Sequence, residues 1–342
     1  MRQPWIYNRI SDCIFILSPP FVVLAIIFLF QKQLMVLNAS YSFYTWLFLI
    51  VFVDVAHVYS TLFKTYFVKE EFQRRKLLYL GIPALSFVLG IIFYQFGSLV
   101  FWSALALVAV YHFIRQQYGF MRLYARFEPN NIHKKIDAAA VYAATIYPML
   151  YWFTNPRKFT WFVEHEFSWM GNLEKLLPIF TFIYLAILSI WLIKTIILFI
   201  RFKTFNIPKD AVIAGSFLSW YFGIVYFNND LIFTFLNVVS HGVPYMALIY
   251  LNEIQNKKKE TLKGLVPFRS GIGVLMFIAA LMIIAFSEEF LWEVLVWKEN
   301  ISISTVHTPD YLLMILVPLL TVPQLTHYLL DGFIWKRKKK LA

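Results

Sequence analysis

The last apolar stretch of the chain, Thr321-Val-Pro-Gln-Leu-Thr-His-Tyr-Leu-Leu-Asp-Gly, spaces Gln324, His327 and Asp331 at i, i+3 and i+7. On a helix all three project from one face. Ionisable side chains at membrane depth are costly, face a bundle interior, and mark functional sites whose partners stand on other helices. Three further histidines fall in other apolar stretches: His57, His112 and His241. Imidazole serves zinc, copper, iron and nickel alike, so the chemistry these residues could perform together is metal binding. Cys13 is the only cysteine. Disulfides within the chain, Cys-rich zinc sites, iron–sulfur clusters and CxxCH haem attachment are thereby excluded.

The polar neighbours of the histidines fit the same reading. Asp54 is i−3 from His57, Gln116 is i+4 from His112, Asn237 is i−4 from His241, and Asp331 is i+4 from His327. A metal-bound imidazole gives its other N–H to a carboxylate or carbonyl, which fixes the tautomer. Groups one helical turn away can supply that acceptor. Arg115, one turn from His112, is the only arginine well inside an apolar stretch and is a candidate charge partner for Asp54 or Asp331.

These residues need elements to position them. Of 342 residues, 60% are hydrophobic, 20% aromatic and 15% charged, with a mean hydropathy of +0.64. No ordinary soluble domain has that composition. The expected fold is an all-α, polytopic integral membrane helical bundle. Apolar runs near the 20 residues needed to span a bilayer fall at 12–30, 42–63, 77–95, 98–118, 137–153, 174–200, 211–227, 231–251, 271–287 and 310–335. That predicts about ten transmembrane helices, with 211–227 and 231–251 close enough in sequence to form a re-entrant pair. Arg2 and Arg9 precede the first run, but no small-residue cleavage site follows and Pro19-Pro20 interrupts it, so it is expected to be retained.

The formal charge is +12, yet the basic residues sit in short clusters between apolar runs, where they act as topology signals and argue against a nucleic-acid partner. Basic connections at 64–76, 122–135, 201–209 and 257–269, and the tail Lys336–Lys340, alternate with connections poor in Lys and Arg. Both termini are then cytoplasmic. Without an internal repeat or a soluble segment, residues 1–342 read as a single transmembrane domain with short loops and a basic cytoplasmic tail. Residues 161–170 read as an amphipathic piece at the outer interface. His133, His165 and His307 fall in loops and take no role.

All four remaining histidines lie on even-numbered spans, which run in one direction. His57 precedes Lys64 by seven residues, His112 precedes Arg122 by ten, and His327 precedes Lys336 by nine, or roughly 10–15 Å of helix each. His241 precedes Glu253 by 12 residues, about 18 Å. Four imidazoles therefore share one layer in the cytoplasmic half of the bilayer. Four neutral ligands leave iron or copper its full charge and open positions for O₂ or substrate. Fewer histidines with an aspartate would suit a water-activating zinc site, and a facing pair would suit haem.

Single histidines on several helices, here His57, His112, His241 with Gly242, and His327, resemble the pattern of the Brp/Blh group of membrane-embedded bacterial carotenoid-cleaving dioxygenases. The resemblance implies one non-haem iron held by bundle histidines, a bacterial inner-membrane location, and an apolar, carotenoid-like substrate. The ten spans and the contexts Asp54-Val-Ala-His57-Val-Tyr, Tyr111-His112-Phe-Ile-Arg115-Gln116-Gln117-Tyr-Gly119 and His327-Tyr-Leu-Leu-Asp331-Gly depart from the pattern that carries the resemblance. The expected function is an iron oxygenase acting on an apolar lipid or isoprenoid, with the bilayer and that small molecule as partners. The alternatives are a zinc-dependent lipid hydrolase, a haem-binding electron carrier, and a proton-coupled transporter using His, Asp and Arg as a relay. Tyr59, Tyr66, Tyr111, Tyr118, Tyr221, Tyr245 and Tyr328 are compatible with an apolar channel, and Pro244 and Pro323 can kink helices beside the histidines. The boxes of desaturases and hydroxylases are absent, as are HExxH, GxSxG and phosphate-loop patterns.

Overall fold

A computed structural model describes residues 3–38, 42–129, 131–203, 205–255, 263–301 and 308–335. The tail Lys336–Lys340, the basic residues Lys257–Lys259 and His307 lie outside the described residues. Among the described residues all regular structure is helical, and every apolar run read from the sequence is a helix. In chain order they are α1 (Arg9–Leu17 with Pro19–Leu29), α2 (Phe43–Phe63), α3 (Lys76–Gln95), α4 (Ser98–Tyr124), α5 (Ile132–Thr154), α6 (Leu173–Phe202), α7 (Ile207–Trp220), α8 (Asp230–Ile254), α9 (Gly273–Trp297) and α10 (Asp310–Ile334).

Seven of these, α2, α3, α4, α6, α8, α9 and α10, are long and apolar enough to cross a membrane, and the bent pair in α1 makes an eighth. Its 53° bend falls at Ser18, immediately before Pro19-Pro20, whose rings cannot continue the preceding hydrogen-bond ladder. The protein is therefore an integral membrane protein by the length and composition of its helices. Helices α5 and α7 are formed where the sequence predicts them but are not among those seven.

Several helices carry π-helical turns: 12–17, 47–55, 221–226, 250–254 and 293–297. Such turns shift the face a helix presents and recur at functional sites. Residues 161–170 do not form a regular amphipathic helix. Bends and turns lead into a 3₁₀ segment at Ser168–Leu176. The local cause is Glu166, whose buried carboxylate accepts from the backbone N–H groups of Trp161, Phe162 and Val163 and so winds the chain around itself. Burial pushes the Glu166 carboxyl up from its ordinary value, while those three donors pull it down.

The chain divides into two compact units, one formed by residues 1–40 with 113–244 and the other by 41–112 with 245–342. In the first unit Val23, Leu24 and Ile27 of α1 pack with Ile232 and Leu236 of α8, and α5 lies against α6 and α7. One cluster of its charges is buried and paired. Asp137 on α5 takes Lys194 from α6 on one oxygen and Lys209 from α7 at 2.9 Å on the other, and Lys209 also reaches Glu128 at 3.0 Å. Charges among apolar helices persist only with such partners. Asp137→Ala would strand Lys194 and weaken Lys209, with an expected loss of about 3–5 kcal/mol, read as an earlier midpoint in detergent unfolding.

In the second unit the core joins Val51, Val55 and Phe63 of α2 to Tyr245 and Ile249 of α8 and to Phe277, Leu281 and Ala285 of α9. Tyr79 of α3 packs with Leu330 and Ile334 of α10. Helix α10 is interrupted at Thr321, whose hydroxyl returns to the carbonyls of Val317 and Pro318. Pro323 follows in the first turn of the next segment, where its missing N–H is harmless. Lys64, just after α2, donates to Glu253 at 2.6 Å and lies 4.1 Å over the Trp335 ring.

Candidate metal centre

Three of the four histidines come together in the second unit. His57 stands on α2 just after the nine-residue π turn 47–55, His112 on α4, and His327 in the second segment of α10. All three are buried, at 1%, 1% and 2% exposure. Their ring centroids are 5.0 Å apart for His57 and His327, 4.6 Å for His112 and His327, and 6.5 Å for His57 and His112. One ring nitrogen of each lies within 4.8 Å of the others', and the Nε2 atoms of His112 and His327 are 3.1 Å apart.

The opposite nitrogens face oxygen. His327 Nδ1 is 2.7 Å from Thr61 Oγ1, His112 Nδ1 is 3.7 Å from Asp331 Oδ2, and His57 Nδ1 is 3.5 Å from Asp54 Oδ1. These contacts form an ordered chain. Thr61 Oγ1 is 3.1 Å from the Tyr245 hydroxyl, which donates to Asp331 Oδ1 at 2.9 Å, and Trp335 Nε1 donates to the same oxygen at 2.8 Å. An ionised Asp331 can only accept, so Tyr245 must spend its hydrogen there. Tyr245 then accepts from Thr61, and Thr61 accepts from His327 Nδ1–H.

The consequence falls on the other side of the ring. With its hydrogen on Nδ1, His327 turns a lone pair on Nε2 toward His112 Nε2. Two imidazole nitrogens at 3.1 Å need a proton or a cation between them. If His112 keeps its hydrogen on Nε2 it satisfies His327, but it then turns a lone pair toward the Asp331 carboxylate. A cation removes the conflict, since both Nε2 atoms coordinate and His112 Nδ1–H points at Asp331. Ligand nitrogens about 2.0–2.1 Å from one ion, at angles between square and tetrahedral, are separated by about 2.8–3.4 Å, and the observed 3.1 Å falls within that interval. The Tyr328 ring stacks on His112 at 4.8 Å, and Tyr245 meets the His327 ring edge-on at 5.0 Å, which confines both imidazoles.

The remaining residues read from the sequence take the following places. His241, 1% exposed, belongs to the first unit, where its ring stacks on Phe113 at 3.8 Å. Gln116 does not serve the imidazole of His112; its Nε2 donates to the backbone carbonyl of His241 at 2.9 Å. Asn237 returns to its own helix, donating to Phe233 O at 3.0 Å. Arg115 donates to the Tyr142 hydroxyl at 3.0 Å and lies over the Tyr118 ring. Gln324 lies one turn before Tyr328 on the same helical segment and is half-buried. Thr61 and Trp335 carry the hydrogen-bond chain without having been singled out from the sequence. Thr61 sits one turn after His57 and Trp335 one turn after Asp331, a local spacing that could have drawn attention to them.

The arrangement can bind a transition metal through neutral imidazoles held by an oriented hydrogen-bond chain. No protein-family model, no curated protein and no solved structure matches this chain.

Proposed function

We propose that the protein is a membrane-embedded metalloenzyme, a non-haem iron oxygenase acting on an apolar lipid or isoprenoid of carotenoid-like character. The observation that carries the metal reading is the pair of Nε2 atoms of His112 and His327, 3.1 Å apart with the His327 tautomer fixed from behind. His57 supplies the third donor. To these we add His241 as a fourth, from its burial and its matched distance to the cytoplasmic flank. Asp331 and Asp54 orient the imidazoles. Iron in such a set would supply O₂ activation, and the neutral donors leave it open positions for that purpose.

The pairing of His112 with His327 opposes the haem reading. Axial histidines of one haem hold their nitrogens about 4 Å apart with the macrocycle between them, twice an iron–nitrogen bond near 2.0 Å. For the substrate, the first unit offers an apolar groove of about 310 Å³ between α5 and α6, walled by Tyr142, Ala143, Tyr147, Ile183 and Tyr184. The hydroxyls of Tyr142 and Tyr147 are engaged by Arg115 and Thr181, leaving their ring faces to a hydrocarbon. Ten spans with both termini cytoplasmic, in a bacterial inner membrane, complete the proposal.

The test is loss of the visible absorption of a carotenoid in detergent micelles containing the purified protein. We expect bleaching that requires O₂, stops on chelation and returns with Fe²⁺. Hydrolysis of an ester lipid by the same preparation, restored by Zn²⁺ and indifferent to oxygen, with no bleaching of the carotenoid, would replace the oxygenase with a hydrolase.

A further inference from the structure

Pro244 interrupts α8 one turn beyond Ser240. Proline has no N–H, so the Ser240 carbonyl loses the intrahelical donor it would otherwise accept. What approaches it instead is the Gln117 amide nitrogen, at 3.5 Å, the outer limit of a hydrogen bond. The Ser240 side chain is also unsatisfied. Its residue is 6% exposed, and among the described residues its hydroxyl has no hydrogen-bond partner, although a helical serine commonly bonds back to the carbonyl four residues earlier.

Ser240 lines a cavity with about 10 Å³ of room for the centre of a water molecule, together with Gln117, Ser216 and Ser219. Ser216 donates to the Val212 carbonyl and Ser219 to the Ser216 carbonyl, so each serine oxygen retains acceptor capacity. Phe120, Leu17 and Pro20 supply apolar wall. A space of about 10–15 Å³ holds one water, and a buried water needs two to four polar partners.

We propose that the first unit binds one resident water molecule at this turn. Ser240 donates its hydroxyl hydrogen to the water, and the water donates to the Ser240 carbonyl and to a serine oxygen of α7. A sodium ion would fit by size, but no carboxylate lines the cavity, and a buried charge without a counter-charge costs several kcal/mol. Water is the occupant the chemistry favours. Since the Ser240 carbonyl belongs to the peptide bond entering His241, the water fixes the turn on which that histidine stands. This positioning matters to metal binding only if the proposed ligand set is correct; the water site itself does not depend on it.

The experiment is a density map of the full chain at a resolution that shows ordered water, for the wild type and Ser240→Val. One peak is expected in the wild type within hydrogen-bond distance of both the Ser240 hydroxyl and carbonyl oxygens, and none in the variant, where the added methyl fills the space. If the valine variant does not fold, Ser240→Ala is expected to lower the melting temperature by a few degrees and to weaken or remove the peak. A wild-type map with ordered side chains and no peak overturns the proposal. So does a melting temperature that rises with Na⁺ and not with K⁺, which would make the occupant a cation.

Discussion

Purified protein is expected to carry a transition metal, and His112→Ala or His327→Ala is expected to retain almost none. Each substitution removes one of the two Nε2 atoms that stand 3.1 Å apart, leaving an incomplete donor set. Loss of a supporting residue around a bound metal weakens affinity by about 10–100-fold, and loss of a ligand should exceed the upper end of that range. His57→Ala should behave similarly, and elemental analysis across the three variants is the measurement. Folding must be followed beside it, since each alanine leaves a cavity at a position no more than 2% exposed. Helical circular dichroism and a monodisperse elution profile separate loss of metal from loss of structure. Wild-type protein that binds no transition metal, or variants that bind it as tightly as wild type, would remove the basis of the enzyme proposal.

The contrast with His133→Ala sharpens the test. That residue lies in the first turn of α5 with exposed neighbours and was assigned no role from the sequence. Its removal should leave metal content unchanged. A fall there as large as at His327 would indicate adventitious binding by histidines in general.

Much of this was legible in the chain because membrane burial makes composition informative. An apolar run near 20 residues has few alternatives to a helix, so all ten runs appear as helices, including α5 and α7 despite Asp137 and Asp210 near their starts. The histidines stood out for the same reason: imidazole among Val, Leu and Phe needs a cause. Distance along a helix to the cytoplasmic flank then placed all four histidines in one layer, and His57, His112 and His327 meet within the second unit.

Other features depend on geometry that sequence spacing does not carry. Hydroxyl groups are common in membrane helices and bond their own backbone, as Thr65 and Thr321 do, so the one-turn spacing of Thr61 from His57 is the only mark the sequence gives it. The π turn at 47–55 shifts the face on which His57 emerges, and no residue in Leu-Phe-Leu-Ile-Val-Phe-Val-Asp-Val announces it. Gln116 illustrates the limit of local reasoning. One turn from His112 is a plausible place for an acceptor, yet the amide is used to hold a carbonyl on α8. The amphipathic piece read at 161–170 has a similar limit: the sequence does not show that the Glu166 carboxylate accepts from the backbone N–H groups of Trp161, Phe162 and Val163 and turns the chain there.

Thr61→Val and Tyr245→Phe are each expected to weaken metal binding by about 10–100-fold, and the double variant to be little worse than either alone. Both residues lie in one series, from His327 Nδ1 through Thr61 Oγ1 and the Tyr245 hydroxyl to Asp331 Oδ1. Thr61→Val leaves the His327 Nδ1–H without its acceptor and favours the hydrogen on Nε2, where it blocks coordination. Tyr245→Phe frees the Thr61 hydroxyl to turn toward His327 and donate, which also favours the Nε2–H tautomer. Each break therefore produces the same wrong tautomer, and the second adds little once the first is made. Competition against a metal-sensitive chelator dye gives the four affinities of the cycle. Multiplicative losses, near the square of the single effect, would mean that Thr61 and Tyr245 act separately, by packing against the imidazoles. Asp331→Asn gives an independent check. Tyr245 and Trp335 donate to this carboxylate and His112 Nδ1 faces it, and an amide must present hydrogens to one of the three. Its loss should match or exceed that of Thr61→Val because it disturbs His112 and His327 together.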